Sequence, residues 1–459
     1  MTYDQARDTE QLRLIEPAIE QFIQRYNDWS GPAAGPRRTV FLFPGGLASK
    51  LLRAPEPFDP GAPPPDITRY ETIWLDLDNL LEVGGGYLAL NRTAPGVYED
   101  RHRQIIVAAG TVEVEGISPY TGFETWAAGQ FDHFVFGWDW RRPLDHIGAF
   151  FVQSFLPHFR QRVQAGCDGA NPLADFALVG HSAGGMIVNW ILRQSDPILS
   201  TMHKAVTVGT PFYGYAGQLH RWFEGDKFFN GPGGVAREEC IRTLCTLPAC
   251  YAWNFMDHET YVDNKAAFAS DPEFPLHAYP CTDSGPPAGS VIADPYDPQP
   301  HPANSTTLSR YRTDINFDHE VELKNARALV KALAGPLTAD QAERFFNIRG
   351  VQLSGLSGVV ETLSGLVPLP PFLSSRLEGT PTHDTVGSAT WTCVPPLAPS
   401  PVMNGPGVPG DGTQPAWTAR HLGLAASHPS HVITVRGLDA VHEFMMSSPS
   451  TLKALASVL

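Results

Sequence analysis

Short apolar runs alternate along this chain with segments whose apolar residues recur at helical spacing. The runs are Thr39–Phe43, Phe131–Phe136, Phe176–Val179, Ala205–Val208, Phe345–Ile348 and His431–Val435. Runs of this length without polar alternation are typical of strands buried on both faces. Helical spacing follows the second run between Ile147 and Val163, and it returns in the tail at Ser450–Leu459. The alternation predicts an α/β fold with a mostly parallel, doubly wound sheet.

The same pattern predicts four segments. Residues 1–29 form an amphipathic helix packed on the core, because Leu14, Ile15 and Phe22 share one helical face. Residues 30–210 and 341–459 form the two parts of the core. Residues 211–340 are too long for a connection in a compact domain, so we expect an inserted cap or lid.

Composition and charge exclude several classes of protein. The chain has 459 residues, of which 42% are hydrophobic, and a formal net charge of −15. Such a charge disfavours binding to nucleic acid and stable binding to anionic membranes. The N-terminus lacks a secretory pattern, so the expected location is cytoplasmic, with six reduced cysteines. The cysteine spacings match no common metal site, and we predict neither metal nor cofactor.

The stretch Gly180-His181-Ser182-Ala183-Gly184 has the form G-x-S-x-G. It follows an apolar run and precedes a helical pattern, so Ser182 lies where a strand turns abruptly into a helix. This turn holds a serine side chain above the sheet edge in α/β-hydrolases. Ser182 is therefore a candidate nucleophile, and His181, at a variable position of the motif, receives no role.

A serine nucleophile needs a histidine base and a carboxylate, in the chain order serine, acid, histidine. The late histidines are His421, His428, His431 and His442, and His442 is favoured because it follows the last strand-like run. Asp384 and Asp411 both lie in turn-like sequence, so the residues leave two candidate acids. Ala183 and either Gly46 or Leu47 are candidate oxyanion donors.

Several motifs resemble the lecithin:cholesterol acyltransferase-like α/β-hydrolases, which include lysosomal phospholipase A and phospholipid:diacylglycerol acyltransferase. The similar segments are TVFLFPGGLASKLLRA, YETIWLDLDNLL, GWDWRRP, LVGHSAGG, AVTVGTPFYG, GDGTQP and GLDAVHEFMMSSPST. The resemblance implies Ser182 as nucleophile, Asp411 as acid and His442 as base. It further implies that Gly46 and Ala183 supply the oxyanion hole.

The resemblance also implies that Asp139 and Trp140 shape the region near the oxyanion loop. Two departures stand out. Gln414 replaces the usual valine of the acid motif, and no cysteines bracket the segment between Leu47 and Trp74.

The spacing of 31 residues between Asp411 and His442 leaves room for one helix, around residues 417–426, and one strand. We therefore prefer Asp411 and keep Asp384 as the alternative acid.

Together these features predict a serine hydrolase that cleaves a carboxylic ester of a hydrophobic substrate, a lipid ester or a hydrophobic ester or lactone, through an acyl-enzyme. An acyltransferase is the alternative, and a non-catalytic binding protein on the same scaffold is a remote one. Leu47, Trp140, Phe212 and Tyr213 are candidate substrate-binding residues. The oligomeric state stays open, with a homodimer as one option.

Overall fold

The computed structural model describes most of the chain. It covers residues 2–28, 38–56, 67–74, 86–113, 118–167, 171–214, 218, 237–254, 256–272, 319–352, 373–374, 376–383, 389–394, 408–411 and 413–459. All structural statements below concern these residues.

The strands and helices alternate along the chain. The strands are β1 Thr39–Phe43, β2 Lys50–Arg53, β3 Glu71–Trp74, β4 Leu90–Ala94, β5 Val97–Asp100, β6 Ile106–Ala109, β7 Asp132–Val135, β8 Phe176–His181, β9 Met202–Val208, β10 Phe345–Val351, β11 Leu373–Ser374, β12 Arg376–His383, β13 Ala389–Val394, β14 Val408–Pro409 and β15 Val432–Arg436. The helices are α1 Tyr3–Asp28, α2 Thr121–Ala128, α3 Leu144–Phe150, α4 Leu156–Gly166, α5 Ala183–Leu192, α6 Arg237–Leu244, α7 Pro248–Ala252, α8 His258–Ala269, α9 His319–Ala334, α10 Ala339–Arg344, α11 Leu422–Ser427 and α12 Pro449–Val458.

Six strands form a central sheet in the order β15-β10-β9-β8-β1-β7, and every neighbouring pair is parallel. The four inner strands β1, β8, β9 and β10 are mostly buried on both faces, which explains their continuous apolar sequences, whereas the edge strands β15 and β7 are only partly buried. In β1, for example, Val40 and Leu42 pack on one side of the sheet, while Phe41 and Phe43 pack on the other. The predicted α/β class with a parallel sheet is confirmed.

Helices cover both faces of this sheet. Residues of α1, α3, α4 and α5 join the larger apolar cluster on one face, and residues of α2 and α12 join the cluster on the other. A π-helical turn at Phe151–Phe155 connects α3 to α4, so the predicted pattern from Ile147 to Val163 is one long helical stretch.

The connection between β9 and β10 contains helices α6 to α10. Helix α9 is tied to the core because the Asn189 side chain of α5 donates to the carbonyl oxygen of Leu333 (2.9 Å). These helices lie in the segment where the sequence predicts a cap, and the exact segment boundaries remain a prediction. No helix within the described ranges is long and apolar enough to span a bilayer.

Some local features differ from the predictions or were not predicted. A second, antiparallel sheet of β3, β2 and β6 was not predicted, because its strands are only four residues long. Strand β15 begins at Val432, since His431 lies in a 3-10 turn. The helix expected over residues 417–426 begins only at Leu422.

Candidate active site

Ser182 lies on a strained turn between β8 and α5. Its backbone has φ 52° and ψ −126°, a conformation that non-glycine residues rarely adopt. Its N–H donates to the carbonyl oxygen of Val208 in the neighbouring strand (2.8 Å). A Cβ at Gly180 would lie 2.6 Å from the carbonyl oxygen of Gly184, so the turn requires glycine there. The predicted strand–turn–helix therefore holds a partly exposed hydroxyl at the carboxyl edge of the sheet.

His442 reaches Ser182 from the other end of the chain. It opens a 3-10 turn after β15, and its Nε2 lies 3.0 Å from Ser182 Oγ. The opposite ring nitrogen, Nδ1, lies 2.8 Å from Oδ2 of Asp411. A carboxylate only accepts, so Nδ1 carries the proton and Nε2 is free to accept the hydroxyl proton of Ser182.

The Asp411 carboxylate is held by its own turn. Oδ1 accepts the backbone N–H groups of Gln414 (2.6 Å) and Thr413 (3.0 Å). The Thr413 hydroxyl points away from this carboxylate and lies 3.2 Å from Oε1 of Glu443. Asp411 is only 1% exposed, so its orientation depends on these backbone donors.

Strand β10 places the Asp411 turn at the sheet edge. Gln352, the residue after β10, donates from its N–H to Gly410 O (2.8 Å) and from Nε2 to Asp411 O (2.7 Å). The His442 N–H also donates to Asp411 O (2.9 Å). The acid and the base are thus joined through backbone as well as side chain.

The surroundings of His442 raise its proton affinity. Burial of the ring lowers the pKa, but the negative charge and hydrogen bond of Asp411, with a further contribution from Glu443, outweigh this. The pKa of His442 therefore lies above its ordinary value of 6.5.

The loop after β1 lies against the serine. A Cβ at Gly45 would come within 3.1 Å of the Ser182 Cβ, and Leu47 has φ 66°. The Gly45 N–H is already donated to the hydroxyl of Tyr120 (2.7 Å). In the described part of the chain, the N–H of Gly46 has no backbone acceptor, which leaves it available as an oxyanion donor beside Ala183.

Two tryptophans that the sequence did not single out fix this loop. Trp138 Nε1 donates to Pro44 O (2.9 Å), and the Trp138 N–H donates to Ser49 Oγ (3.1 Å). Trp74 Nε1 donates to Leu47 O (2.7 Å). Both tryptophans lie in the segments that carry the family resemblance, which was the only signal able to suggest them.

Asp139 and Trp140 follow Trp138 directly in the chain, and both are buried. Asp139 is buried and accepts from Nε and Nη2 of Arg141 (both 2.9 Å). Burial raises the pKa of Asp139, but Arg141 and Arg142 together hold the pKa below its usual value. Trp140 is fully buried and packs edge-on against Trp74, with ring centroids 5.0 Å apart.

The rings of three candidate substrate-binding residues lie in the core. Trp140 and Phe212 are fully buried, and Tyr213 is 1% exposed. Phe212 packs against Phe345, and Tyr213 packs against Phe268. Each of the three rings thus contacts other buried rings, and a role of these residues in substrate binding stays a prediction. Leu47 alone among the four is partly exposed.

Trp253 of the inserted segment lies over the oxyanion loop. A Cβ at Gly46 would meet Cζ2 and Cη2 of Trp253 at 2.7 Å, so a side chain at Gly46 would displace this ring. The indole is 5% exposed, and its Nε1 has no hydrogen-bond partner among the described residues.

The remaining candidates lie elsewhere. Asp384 is outside the described residues. His421 is buried in the core and caps α11 through Nδ1, which accepts the Leu424 N–H (3.1 Å). His431 contacts the carbonyl oxygens of Ala342 and Phe345. Neither of these histidines contacts Ser182.

The chain matches no protein-family model, and no curated protein matches it. Among solved structures, the crystal structure of a Tle4–Tli4 complex matches 92% of this chain and 98% of its own, with 12% sequence identity and a TM-score of 0.45. A likeness this distant assigns no role to any residue of the site.

Proposed function

We propose that this protein is a serine hydrolase that cleaves a carboxylic ester of a hydrophobic substrate. The observation that carries the proposal is the continuous line from Ser182 Oγ to His442 Nε2 (3.0 Å) and from His442 Nδ1 to Asp411 Oδ2 (2.8 Å). The strained φ of Ser182 supports it, because such strain persists only where the surrounding structure imposes it.

The geometry accounts for each step of ester cleavage. His442 Nε2 takes the proton of Ser182 while Oγ bonds to the ester carbon, and the carbonyl oxygen becomes an oxyanion near the N–H groups of Ala183 and Gly46. The C–O bond to the alcohol then breaks, and His442 returns the proton to the departing alkoxide. Water, deprotonated by the same nitrogen, releases the acid and restores Ser182.

The substrate class rests on the residues around Ser182. The partly exposed Leu47 and the indole of Trp253 border the oxyanion loop, and both are apolar. The family resemblance supports a lipid ester, and a lactone or another hydrophobic ester has the same reacting bond. Transfer of the acyl group to an alcohol instead of water would use the same residues and is the alternative outcome.

Covalent labelling tests the proposal directly. A fluorophosphonate probe should modify Ser182 in the wild type, and peptide mass spectrometry should locate the adduct on that residue. Ester substrates of increasing chain length, with and without an added alcohol, then separate hydrolysis from transfer. A wild-type protein that neither reacts with the probe nor cleaves any ester would leave the non-catalytic alternative in its place.

A further inference from the structure

A line of three hydrogen bonds joins the oxyanion loop to the loop that carries His442. Gly45 N–H contacts Tyr120 Oη (2.7 Å), Tyr120 Oη contacts His181 Nδ1 (2.8 Å), and His181 Nε2 contacts the backbone oxygen of His442 (3.0 Å). All four residues are buried. Neither Tyr120 nor His181 takes part in the chemistry proposed above.

The direction of each proton in this line is fixed. The carbonyl oxygen of His442 can only accept, so Nε2 of His181 must carry a proton. Burial, together with the neighbouring His442, holds the pKa of His181 well below 6.5, so the ring is neutral and Nδ1 has no proton. The Tyr120 hydroxyl therefore donates to Nδ1, and its oxygen accepts the Gly45 N–H.

A second set of contacts holds Tyr120 to the same loop. The hydroxyl of Ser447, which ends the 3-10 turn begun by His442, donates to Pro119 O (2.7 Å) and accepts the Gly122 N–H (3.1 Å). These contacts join the segment that carries Tyr120 to the base loop. The rings of His181 and His442 also lie 4.9 Å apart, centroid to centroid.

We propose that Tyr120 and His181 are positioning residues that set the oxyanion loop and the His442 loop at one fixed separation. The inference rests on the proposed hydrolase function. By binding the Gly45 N–H, Tyr120 orients the loop so that the next N–H, that of Gly46, faces the reacting carbonyl. By binding the backbone of His442, His181 holds the base at the distance from which Nε2 reaches Ser182.

Tyr120→Phe tests the inference with the smallest change. It leaves the Gly45 N–H and His181 Nδ1 without their shared partner, and we expect kcat per active site to fall about ten- to hundredfold. KM should change less than about threefold, because oxyanion contacts strengthen only in the transition state. Tyr98→Phe is the matched control, since it removes a buried hydroxyl that contacts Glu322 (2.8 Å) instead.

Two substitutions at His181 separate its hydrogen bond to Tyr120 from its hydrogen bond to the backbone of His442. His181→Asn can retain an acceptor near the Nδ1 position, and His181→Gln can retain a donor near the Nε2 position; each should lower kcat. In the double variant Tyr120→Phe/His181→Asn the losses should be far from multiplicative, because either change already breaks the line. His421→Asn is the control, because His421 makes the same kind of contacts, to Leu424 N and Leu333 O, away from the site.

For each variant, titration with a fluorophosphonate counts the active sites. The thermal unfolding midpoint of the same preparation is also measured. Unchanged kcat per labelled site in Tyr120→Phe, with only a lower unfolding midpoint, would mean that the line merely stabilises the fold. Multiplicative losses in the double variant would also overturn the coupling. A wild type that cannot be labelled would instead refute the hydrolase proposal and remove the basis of this inference.

Discussion

The two sides of the candidate site are held in different ways. On the acid side, the Asp411 carboxylate is oriented by the backbone N–H groups of Thr413 and Gln414, two and three residues away, and the distant Gln352 contributes one side-chain hydrogen bond, to the backbone oxygen of Asp411. On the oxyanion side, the loop from Pro44 to Ser49 is held by side chains distant in sequence. These donors and acceptors are Trp74, Tyr120 and Trp138.

This difference decides which substitutions each side tolerates. A turn held by its own N–H groups keeps its hydrogen bonds when a side chain is replaced. A loop held by ring N–H and O–H groups loses an anchor with each aromatic ring that is changed, and a buried backbone group is left without a partner. The acid side should therefore tolerate changes to its flanking side chains, and the oxyanion side should not.

The acid side and the oxyanion side both act in the reaction of Ser182. Substitution of Ser182 therefore has the largest expected effect on turnover. Ser182→Ala should lower turnover by roughly 10⁴ to 10⁶ and leave the fold intact, since alanine replaces only the hydroxyl. Activity and the unfolding midpoint measured on one preparation check this. Turnover retained at the wild-type level in a folded variant would contradict the assignment of Ser182.

Loss of the Asp411 charge should be the next largest effect. Asp411→Asn should lower turnover by about 10⁴, because an amide favours the wrong tautomer of His442. Its matched control is Asp384→Asn, for which we expect about tenfold or less, the size of a lost peripheral hydrogen bond. If the two variants exchanged their effects, Asp384 would be the acid.

The pH profile reports the same contact without any substitution. Only neutral His442 accepts the Ser182 proton, so kcat/KM should fall about tenfold per pH unit below the pKa of His442. Burial lowers that pKa, but Asp411 raises it more, so the midpoint should lie above 6.5. In Asp411→Asn the midpoint should move to lower pH, because the raising charge is gone. A wild-type midpoint below 6.5 would contradict the raising effect of Asp411 on the pKa of His442.

For the side chains that hold the oxyanion loop, we expect a smaller loss of kcat/KM. Trp138→Phe removes the N–H that holds Pro44 O, and we expect kcat/KM to fall about three- to tenfold, the size of one neutral hydrogen bond. Trp126→Phe is the control, because the ring of Trp126, a residue of α2, packs against Phe123 and Phe131. Equal effects of the two variants would show that the loop does not depend on this anchor.

The difference between local contacts and contacts distant in sequence also explains which features the sequence predicted. The apolar runs predicted the central strands because burial on both faces leaves a local pattern, and the G-x-S-x-G turn predicted the elbow. The G-D-G-T-Q-P turn suggested Asp411 because its hydrogen bonds are local. Tyr120 and Trp138 were missed, since nothing near them in sequence shows that their rings reach Pro44 and Gly45. Their contacts depend on tertiary structure, which local patterns do not record.

Thr413 gives the sharpest test of this comparison, with the smallest expected effect. Of this residue, the backbone N–H contacts the Asp411 carboxylate, whereas the hydroxyl faces the exposed Glu443. Thr413→Val keeps the backbone donor and the side-chain shape, so kcat/KM should change less than about threefold, within the range of a solvent-exposed hydrogen bond. The measurement is made beside Trp138→Phe under identical conditions. A loss in Thr413→Val as large as that in Trp138→Phe would show that the Asp411 turn depends on its own flanking side chains, and that the two sides do not differ in the way their contacts indicate.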